Sequence, residues 1–397
     1  MALYLTVLLF FLNSMGAKGS RIVLSLDALQ QHAGAFEVGL LAATFGAVPL
    51  LVSMQAGRVT DRFGVRGPMI IASLANTAGM LVPLLGPVLG PMLGGMASLY
   101  LAGTVIGVSN IFFHIANSNL VGALGKPEER AGNFGTFLLG GSLSGVAGPM
   151  AAGWTVDHGG HTMAYILMAV TVFVPIFILA GMARLIPAEI TAKKEEPAGN
   201  LKEFIANVPL RNSLIINGLI ITGLDLFSFY MPIYGKAIGM PATVIGVIIG
   251  MQAVAGFMVR VGLGRMVERV GVERLVIASL AISAGAYFLL PFFQEALVLG
   301  TIAFVLGLGL GCGQPLSLML TYNHSPPGRA GEALGVRMGV TKFTQLVVPL
   351  IAGSAGGAFG VLPVFLANAV FLAGGGWLVA RELRAERADR AAPAGAE

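Results

Sequence analysis

The stretch GRVTDRFGVR at positions 57–66 occurs a second time in altered form, as GRMVERVGVER at positions 264–274. Both copies contain a glycine and an arginine, then an acidic residue followed by an arginine, then another glycine. Each copy directly follows a long apolar segment, 38–56 in the first case and 243–263 in the second. A motif that recurs at equivalent places indicates that the chain consists of two repeated halves.

The composition of the chain indicates which solvent surrounds these halves. Of 397 residues, 56% are hydrophobic and only 11% are charged, whereas soluble domains carry about 25% charged residues. The 56 glycines suit helices that pack closely within a bilayer. The net charge of +5 is small, so it does not indicate a nucleic-acid partner. We therefore expect a protein embedded in a lipid bilayer.

The chain contains a single cysteine, Cys312, and no Cys/His pattern with metal-ligand spacing. One cysteine cannot form a disulfide within the chain. The sequence also shows no nucleotide-binding loop and no nucleophile–base pair. We therefore expect no cofactor, no metal and no catalytic residues, and the protein is predicted not to be an enzyme.

Twelve apolar segments approach the length of about 20 residues that a membrane-spanning helix needs. Their predicted limits are 3–27, 38–56, 68–87, 92–120, 131–154, 162–184, 210–233, 243–263, 275–293, 296–322, 333–357 and 359–380. The predicted fold is an all-α membrane protein with twelve transmembrane helices in two six-helix bundles around a central cavity, an arrangement typical of secondary transporters. The predicted parts are an N-terminal bundle (1–184), a cytoplasmic linker (185–209), a C-terminal bundle (210–380) and a cytoplasmic tail (381–397).

The basic residues predict the orientation of these segments. With the amino terminus in the cytoplasm, most of the 24 Lys and Arg residues fall in loops on that side or in the tail, and Lys236 falls near the opposite face. Cytoplasmic loops of membrane proteins carry such an excess of positive charge. We expect a multi-pass protein of the inner (plasma) membrane with both termini cytoplasmic.

The repeated motif resembles the cytoplasmic signature G-x-x-x-D-R-x-G-x-[RK] of the major facilitator superfamily, and the resemblance covers nearly the whole chain. The stretch SGVAGPMAAGW at 144–154 partly resembles a Gly-Pro motif of exporters, although its glycine spacing differs. Proton-coupled drug exporters of the superfamily carry an arginine in span four, where Leu99 and Tyr100 lie here. This departure disfavours a drug/proton antiporter.

The resemblance implies that the two signature loops form a gate. Asp61 is expected to lie against the amino-terminal end of span eleven and Glu268 against that of span five, where the helix dipole favours a negative charge. The predicted gating residues are Gly57, Asp61, Arg62, Gly264, Glu268 and Arg269. The alternative is that these charges act only as topology signals.

Five cations fall inside predicted spans: Lys18, Arg21, Arg260, Arg337 and Lys342. A charge at the bilayer centre costs about 2.5–3.5 kcal/mol on insertion scales. The resemblance to the superfamily places none of them in a lipid-facing span, so we expect them to face an aqueous cavity. Asp225 is the one acid placed deep in a predicted span. Such an excess of positive charge attracts an anion.

Polar side chains are spaced along one face of two further predicted spans. Asn110 and His114 lie one turn apart in span four, and Gln314 lies in span ten. We expect these side chains to line the cavity. The alternative is that they only form hydrogen bonds between helices.

Two of the cations carry a second, narrower resemblance, to the monocarboxylate transporters. Arg260 precedes Gly264 by four residues, which is where those transporters carry the arginine that binds the substrate carboxylate. Lys18 precedes Glu37 by nineteen residues, about the distance between their span-one lysine and the acidic residue that opens span two. Its aspartate one turn before the arginine is Gly256 here. The resemblance therefore implies anion binding by Lys18 and Arg260, without membership of that family. The alternative for Arg260 and Arg337 is a basic anchor at the end of a helix.

These observations predict a secondary active transporter that moves a small organic anion, a carboxylate above all, by alternating access. The predicted substrate-binding residues are Lys18, Arg21, Asn110, His114, Arg260, Gln314, Arg337 and Lys342. Asp225 is predicted to couple transport to H⁺. It can pair with one of the five cations, with Arg260 and Lys342 as the candidates, until the anion displaces it. Proton symport, anion exchange and a permanent structural ion pair are all compatible with the sequence.

Two other classes of function stay open. The 23 Phe and 18 Met residues suit an exporter of lipophilic drugs by proton antiport, although the cation-rich cavity argues against it. A membrane receptor or scaffold that transports nothing would not need a charged cavity. In each case the expected partners are the lipid bilayer and a small molecule, and the protein is expected to be a monomer.

Overall fold

The computed structural model describes residues 2–85, 95–124, 130–181, 206–325 and 330–391. Nearly all of them are helical, and these ranges contain no strand. The predicted all-α fold class is thereby confirmed. Most of the predicted linker and the end of the predicted tail lie outside the described residues, so the predicted domain limits stay predictions.

The described residues form twelve helical segments. A continuous run, Arg130–Gly181, is divided at Gly160, whose φ of 72° interrupts the helical geometry. We call its two parts α5 (130–159) and α6 (161–181). The other helices are α1 (Ala2–Gln30), α2 (Ala35–Phe63), α3 (Arg66–Leu81), α4 (Gly95–Ala123), α7 (Val208–Ala237), α8 (Ala242–Val270), α9 (Val272–Leu289), α10 (Ala296–Asn323), α11 (Ala330–Phe359) and α12 (Val361–Ala391).

The structure shows the repeat that the two motifs predicted. A short 3₁₀ turn containing a proline extends α3 (Val82–Leu85), and another extends α9 (Leu290–Phe292). Prolines lie inside α5 and α11 at the corresponding positions Pro149 and Pro349. We therefore call α1–α6 the first half and α7–α12 the second half.

Ten of the described helices are long and apolar enough to cross a membrane. One of them is the 43-residue run Leu139–Gly181, which includes the break at Gly160 and is long enough for two crossings. Helix α11 is not among the ten. It carries Arg337, Lys342 and Gln345, which lower its hydropathy. The multi-pass architecture is confirmed, while the count of twelve crossings stays a prediction.

The two halves approach each other most closely along two pairs of helices. Between α2 and α11, a β-carbon placed on Gly39 would lie 2.7 Å from the Cα of Gly353. Between α5 and α8, a β-carbon on Gly153 would collide with the carbonyl oxygen of Ala242. These contacts lie where α2 and α8 begin. We call this the distal end, and the end at which α2 and α8 finish the signature end.

The orientation of the two ends in the membrane stays a prediction from the positive charges, and it can be tested. We expect a reporter fused after Lys194 to be cytoplasmic and one fused near His158 to be external, because basic loops stay on the cytoplasmic side. Alkaline phosphatase and green fluorescent protein fusions at both positions measure this. An external position for residue 194 would reverse the orientation.

Candidate functional site

A cavity of about 450 Å³ lies between the two halves. Its wall is formed by residues of α1, α4, α5, α7, α8, α10 and α11. The cavity brings together Asp225 and seven of the eight predicted substrate-binding residues, namely Lys18, Arg21, Asn110, His114, Arg260, Gln314 and Lys342.

Arg337 is the predicted binding residue that does not line the cavity. Its guanidinium donates to the Ser317 hydroxyl at 3.5 Å and to the Gln314 carbonyl oxygen at 3.4 Å, both on α10. Lys342, on the same helix, does line the cavity. The prediction that Arg337 belongs to the same site is therefore corrected, because this side chain is turned toward α10.

Lys18 extends from α1 to α5 within the first half. Its Nζ donates to the carbonyl oxygen of Gly141 at 2.5 Å and to the hydroxyl of Ser144 at 3.1 Å. The two helices can lie close together because Gly148 has no side chain. A β-carbon at this position would be only 2.6 Å from the Met15 carbonyl oxygen. Both partners of Lys18 are neutral, so they leave its charge uncompensated.

Arg260 connects the two halves through neutral acceptors. Its Nε donates to the Gly311 carbonyl oxygen at 3.1 Å, and Nη2 donates to Gln314 Oε1 at 3.0 Å. Its Nη1 donates to the hydroxyl of Ser142 on α5 at 2.9 Å. Arg260 and Lys18 thus meet the same segment of α5, residues 141–144, from opposite halves.

Gly256, which stands where the monocarboxylate-transporter pattern has an aspartate, lies against α10. A β-carbon on Gly256 would lie 3.4 Å from the Cα of Gly311, and one on Gly311 would collide with Gly256. Helices α8 and α10 therefore touch through their backbones at the level of Arg260.

Arg21 and Asp225 form an ion pair between the halves, with Nη1 and Oδ1 3.3 Å apart. The guanidinium lies over the rings of Phe45 at 5.1 Å and Phe229 at 5.5 Å, measured to the ring centroids. Such cation–π contacts add to the stability of a desolvated arginine. The second oxygen of Asp225, Oδ2, is buried without a hydrogen-bond partner.

Neither of the two candidates named from the sequence, Arg260 and Lys342, is the partner of Asp225. Arg260 is engaged by Gly311, Gln314 and Ser142. Lys342 Nζ donates to Gln345 Oε1 one turn away at 3.0 Å. Arg21 reaches Asp225 instead, because the facing sides of α1 and α7 bring the two side chains together.

Asn110 combines the two roles considered from the sequence, while His114 lines the cavity and packs against an aromatic ring of α1. Asn110 lines the cavity and also accepts a hydrogen bond from Asn13 at 3.1 Å. Asn13 in turn accepts one from Asn76 at 3.2 Å, so three amides link α1, α3 and α4. The imidazole of His114 packs edge-on against the ring of Phe10, with centroids 5.3 Å apart.

The side chains that line the cavity give it an excess of positive charge. Four cationic side chains and one carboxylate line it, and the carboxylate compensates only Arg21. Lys18, Arg260 and Lys342 have only neutral hydrogen-bond acceptors among the partners that the structure describes. An anion that enters the cavity would be attracted to these three groups.

The predicted gating residues are placed only in part. The side chain of Asp61 and the surroundings of Gly57 lie outside the part that is described, as do most side chains at the start of α5. Asn133, near which Glu268 was expected, donates to the Leu124 carbonyl oxygen at 2.8 Å. Arg62 is exposed, and the carbon of its guanidinium lies 5.3 Å from the ring centroid of Phe63. Glu268 and Arg269 are also exposed. A β-carbon on Gly264 would meet open space, so this glycine makes no close helix contact in this conformation. The gate stays a prediction.

Several residues at the site had no signal in the sequence. Ser142, Ser144 and Gln345 are short or neutral side chains within apolar helices, and Phe45 and Phe229 resemble any other buried aromatic. An aromatic near a buried arginine becomes a recognisable candidate only when the two helices are known to face each other.

A family model described as Major Facilitator Superfamily matches residues 6–343 and 238–397. A relative, "Multidrug resistance protein MdtG" of Klebsiella pneumoniae (strain 342), is 27% identical over 261 residues, which are 64% of this chain and 63% of the relative. This match spans less than two thirds of that relative. The protein of the same name from Dickeya zeae (strain Ech586) is 24% identical over 79% of this chain and 76% of its own length.

Solved structures of transporters share the fold. The nucleoside transporter NupG has a TM-score of 0.74 at 12% identity, covering 96% of this chain and 99% of that one. A peptide transporter POT has a TM-score of 0.76 at 13% identity, covering 95% and 93%. The family match extends over nearly the whole chain and includes both signature loops. The protein therefore belongs to the major facilitator superfamily, and it is a multi-pass membrane protein.

Proposed function

We propose that the protein is a secondary active transporter for a small organic anion, and that a carboxylate is the group bound in the cavity. One observation carries the proposal: Lys18 of the first half and Arg260 of the second half converge on residues 141–144 of α5, and neither is neutralised by a described acid. A ligand bound there would touch both halves.

The chemistry of the two cations favours a carboxylate. Arg260 binds neutral acceptors with three of its N–H groups. A carboxylate makes stronger hydrogen bonds with a guanidinium than a hydroxyl or an amide does, so it would displace Ser142 or Gln314. The planar guanidinium can hold both oxygens, while Lys18 supplies a point charge.

Asp225 suggests how transport could be coupled to protons. An anion attracted to Arg21 would compete with Asp225, whose Oδ2 already lacks a partner. A carboxylate that loses its cation in a site shielded from water takes up a proton more readily. This sequence of events gives proton–anion symport. Anion exchange, in which no proton moves, is the other form of the same proposal.

A second candidate is the export of drugs or other lipophilic compounds by proton antiport. The curated relatives are named multidrug resistance proteins, and these names favour the second candidate over the first. Aromatic side chains at the cavity, Phe10 in its wall and Phe45 and Phe229 around Arg21, also suit a lipophilic ligand. The uncompensated cations favour the anion. A receptor or scaffold has no such support.

A thermal-shift measurement on the purified protein separates the two candidates. Ligands that bind the folded state raise its apparent stability by about 2.7 kcal/mol at roughly 100 times Kd. We expect lactate, succinate or other small carboxylates to raise the melting temperature, and tetraphenylphosphonium and ethidium to have no effect. A shift with the lipophilic cations alone would overturn the anion proposal in favour of drug export.

A further inference from the structure

Asp157, near the end of α5, provides a charged contact between the halves at the distal end. Its carboxylate oxygens accept hydrogen bonds from the backbone N–H groups of Ala242 at 2.9 Å and Thr243 at 2.5 Å. These residues begin α8 in the other half. Asp157 itself is exposed at the surface, so the contact is held by these two bonds and not by burial.

The start of α8 requires such a partner. The first N–H groups of any helix have no acceptor within the helix, and the residue preceding α8 is Pro241, which provides no side-chain cap. A negative charge at this position also interacts favourably with the helix dipole. The cap that α8 lacks in its own sequence is thus supplied by the opposite half.

The contact ends a row of close backbone approaches between α5 and α8. A β-carbon on Gly153 would collide with Ala242, and one on Gly246 would collide with the carbonyl oxygen of Pro149. Two helices whose backbones fit this closely are either in contact or separated, with few intermediate arrangements. The bonds of Asp157 exist only when they are together.

The corresponding seam between α2 and α11 is built differently. The start of α2 is capped by its own Glu37, whose Oε2 accepts from the Gly34 N–H at 2.9 Å. That cap remains when the halves separate. Of the two described helix starts at these seams, only that of α8 depends on a carboxylate from the other half.

We propose that Asp157 is a latch that holds the distal end closed and sets the balance between the conformations of the transport cycle. A transporter that works by alternating access must open its cavity at the distal end in one of its states. Opening separates α5 from α8 and breaks both bonds of Asp157. The latch depends on the movement of the halves and not on the substrate, so it is independent of the anion proposal.

The latch is tested by measuring a distance across the distal end. Spin labels on Thr162→Cys and Ala237→Cys report this distance, since both residues are exposed and lie in opposite halves. The native Cys312, which is buried, is replaced by alanine. Pulsed electron paramagnetic resonance in nanodiscs then gives the populations of the closed and open states.

We expect Asp157→Ala to move the population toward the longer distance by roughly 3- to 30-fold, the range by which the loss of a helix cap changes an equilibrium. Asp157→Asn keeps an acceptor but loses the charge, so it should give a smaller shift in the same direction. The matched control is Glu295→Gln, which removes an exposed acid at the same end and should leave the distances unchanged.

The latch is refuted if Asp157→Ala and Asp157→Asn both give the distance distribution of the Glu295→Gln control. Elution volume and melting temperature show whether each variant is folded. Should Asp157→Ala fail to fold, the Asn variant alone decides: a shift toward the longer distance supports the latch, and an unchanged distribution overturns it.

Discussion

Replacing Arg260 with alanine should abolish uptake of the organic anion, and replacing Lys18 with alanine should weaken it strongly. Each substitution would remove hydrogen bonds to a charged ligand. Such a bond is worth about 1.5–3 kcal/mol, or roughly ten- to hundredfold in affinity. Arg260→Lys should also transport poorly, because an ammonium group cannot hold two carboxylate oxygens in the plane of a guanidinium. Uptake of radiolabelled succinate or lactate into proteoliposomes measures all three variants.

The matched control for this series is Arg337→Ala. Arg337 lies inside a helix of the second half, as Arg260 does, but it contacts α10 and does not line the cavity. Its loss should change stability more than substrate affinity. Wild-type uptake by folded Lys18→Ala and Arg260→Ala proteins would refute the anion site. Equal loss of uptake in these two variants and in Arg337→Ala would mean that the cations support the fold and do not bind the anion.

Replacing Asp225 with asparagine should abolish proton-driven accumulation of the anion while counterflow of labelled substrate survives. The asparagine cannot exchange a proton, and it no longer compensates Arg21, which the rings of Phe45 and Phe229 still hold in place. An unpaired Arg21 should bind the anion at least as tightly as before. Accumulation under an imposed pH gradient, compared with counterflow at equal pH, measures the two activities separately.

The alternatives predict other results for the same variant. A purely structural ion pair predicts a loss of both activities together with a lower melting temperature, since an uncompensated buried charge is destabilising. Anion exchange predicts that the wild type shows no proton-driven accumulation. The double variant Arg21→Gln/Asp225→Asn removes both charges and should restore stability in the structural case. Accumulation at the wild-type level in Asp225→Asn would exclude Asp225 as the coupling group.

Much of the fold could be predicted because the bilayer permits few structures. Backbone groups inside a membrane must be paired within the protein, so long apolar segments become helices. The two signature loops then identify the repeat, and prolines recur at 149 and 349. The break at Gly160 falls in the interval between the predicted spans 131–154 and 162–184, although the sequence does not show that the helix resumes directly after this one glycine.

The cavity residues could be predicted for a related reason. Cations in apolar helices avoid lipid, and Lys18 and Arg21 are three residues apart, so they lie within about 60° of each other around the helix. Arg337 and Lys342 are five residues apart, which places them about 140° apart. Helical geometry alone therefore directs Arg337 and Lys342 to different neighbours, as their contacts in the structure show.

The contacts between the halves could not be predicted from the sequence. The pairing of Arg21 with Asp225 depends on how α1 docks against α7, and the enclosing rings of Phe45 and Phe229 come from two different halves. The contact of Asp157 has no signal in the sequence because its partners are backbone N–H groups. Backbone donors occur at nearly every residue, so the sequence contains no sign of which of them an acid will meet.

Counterflow is the most direct test of whether the cavity carries an organic anion. Proteoliposomes are loaded with unlabelled succinate or lactate, whichever raises the melting temperature more, and uptake of the labelled compound is followed without an ion gradient. We predict that the internal anion accelerates uptake, that Arg260→Ala abolishes this acceleration, and that internal tetraphenylphosphonium produces none. Acceleration by tetraphenylphosphonium with no effect of the anions would contradict the account and identify a transporter of lipophilic cations.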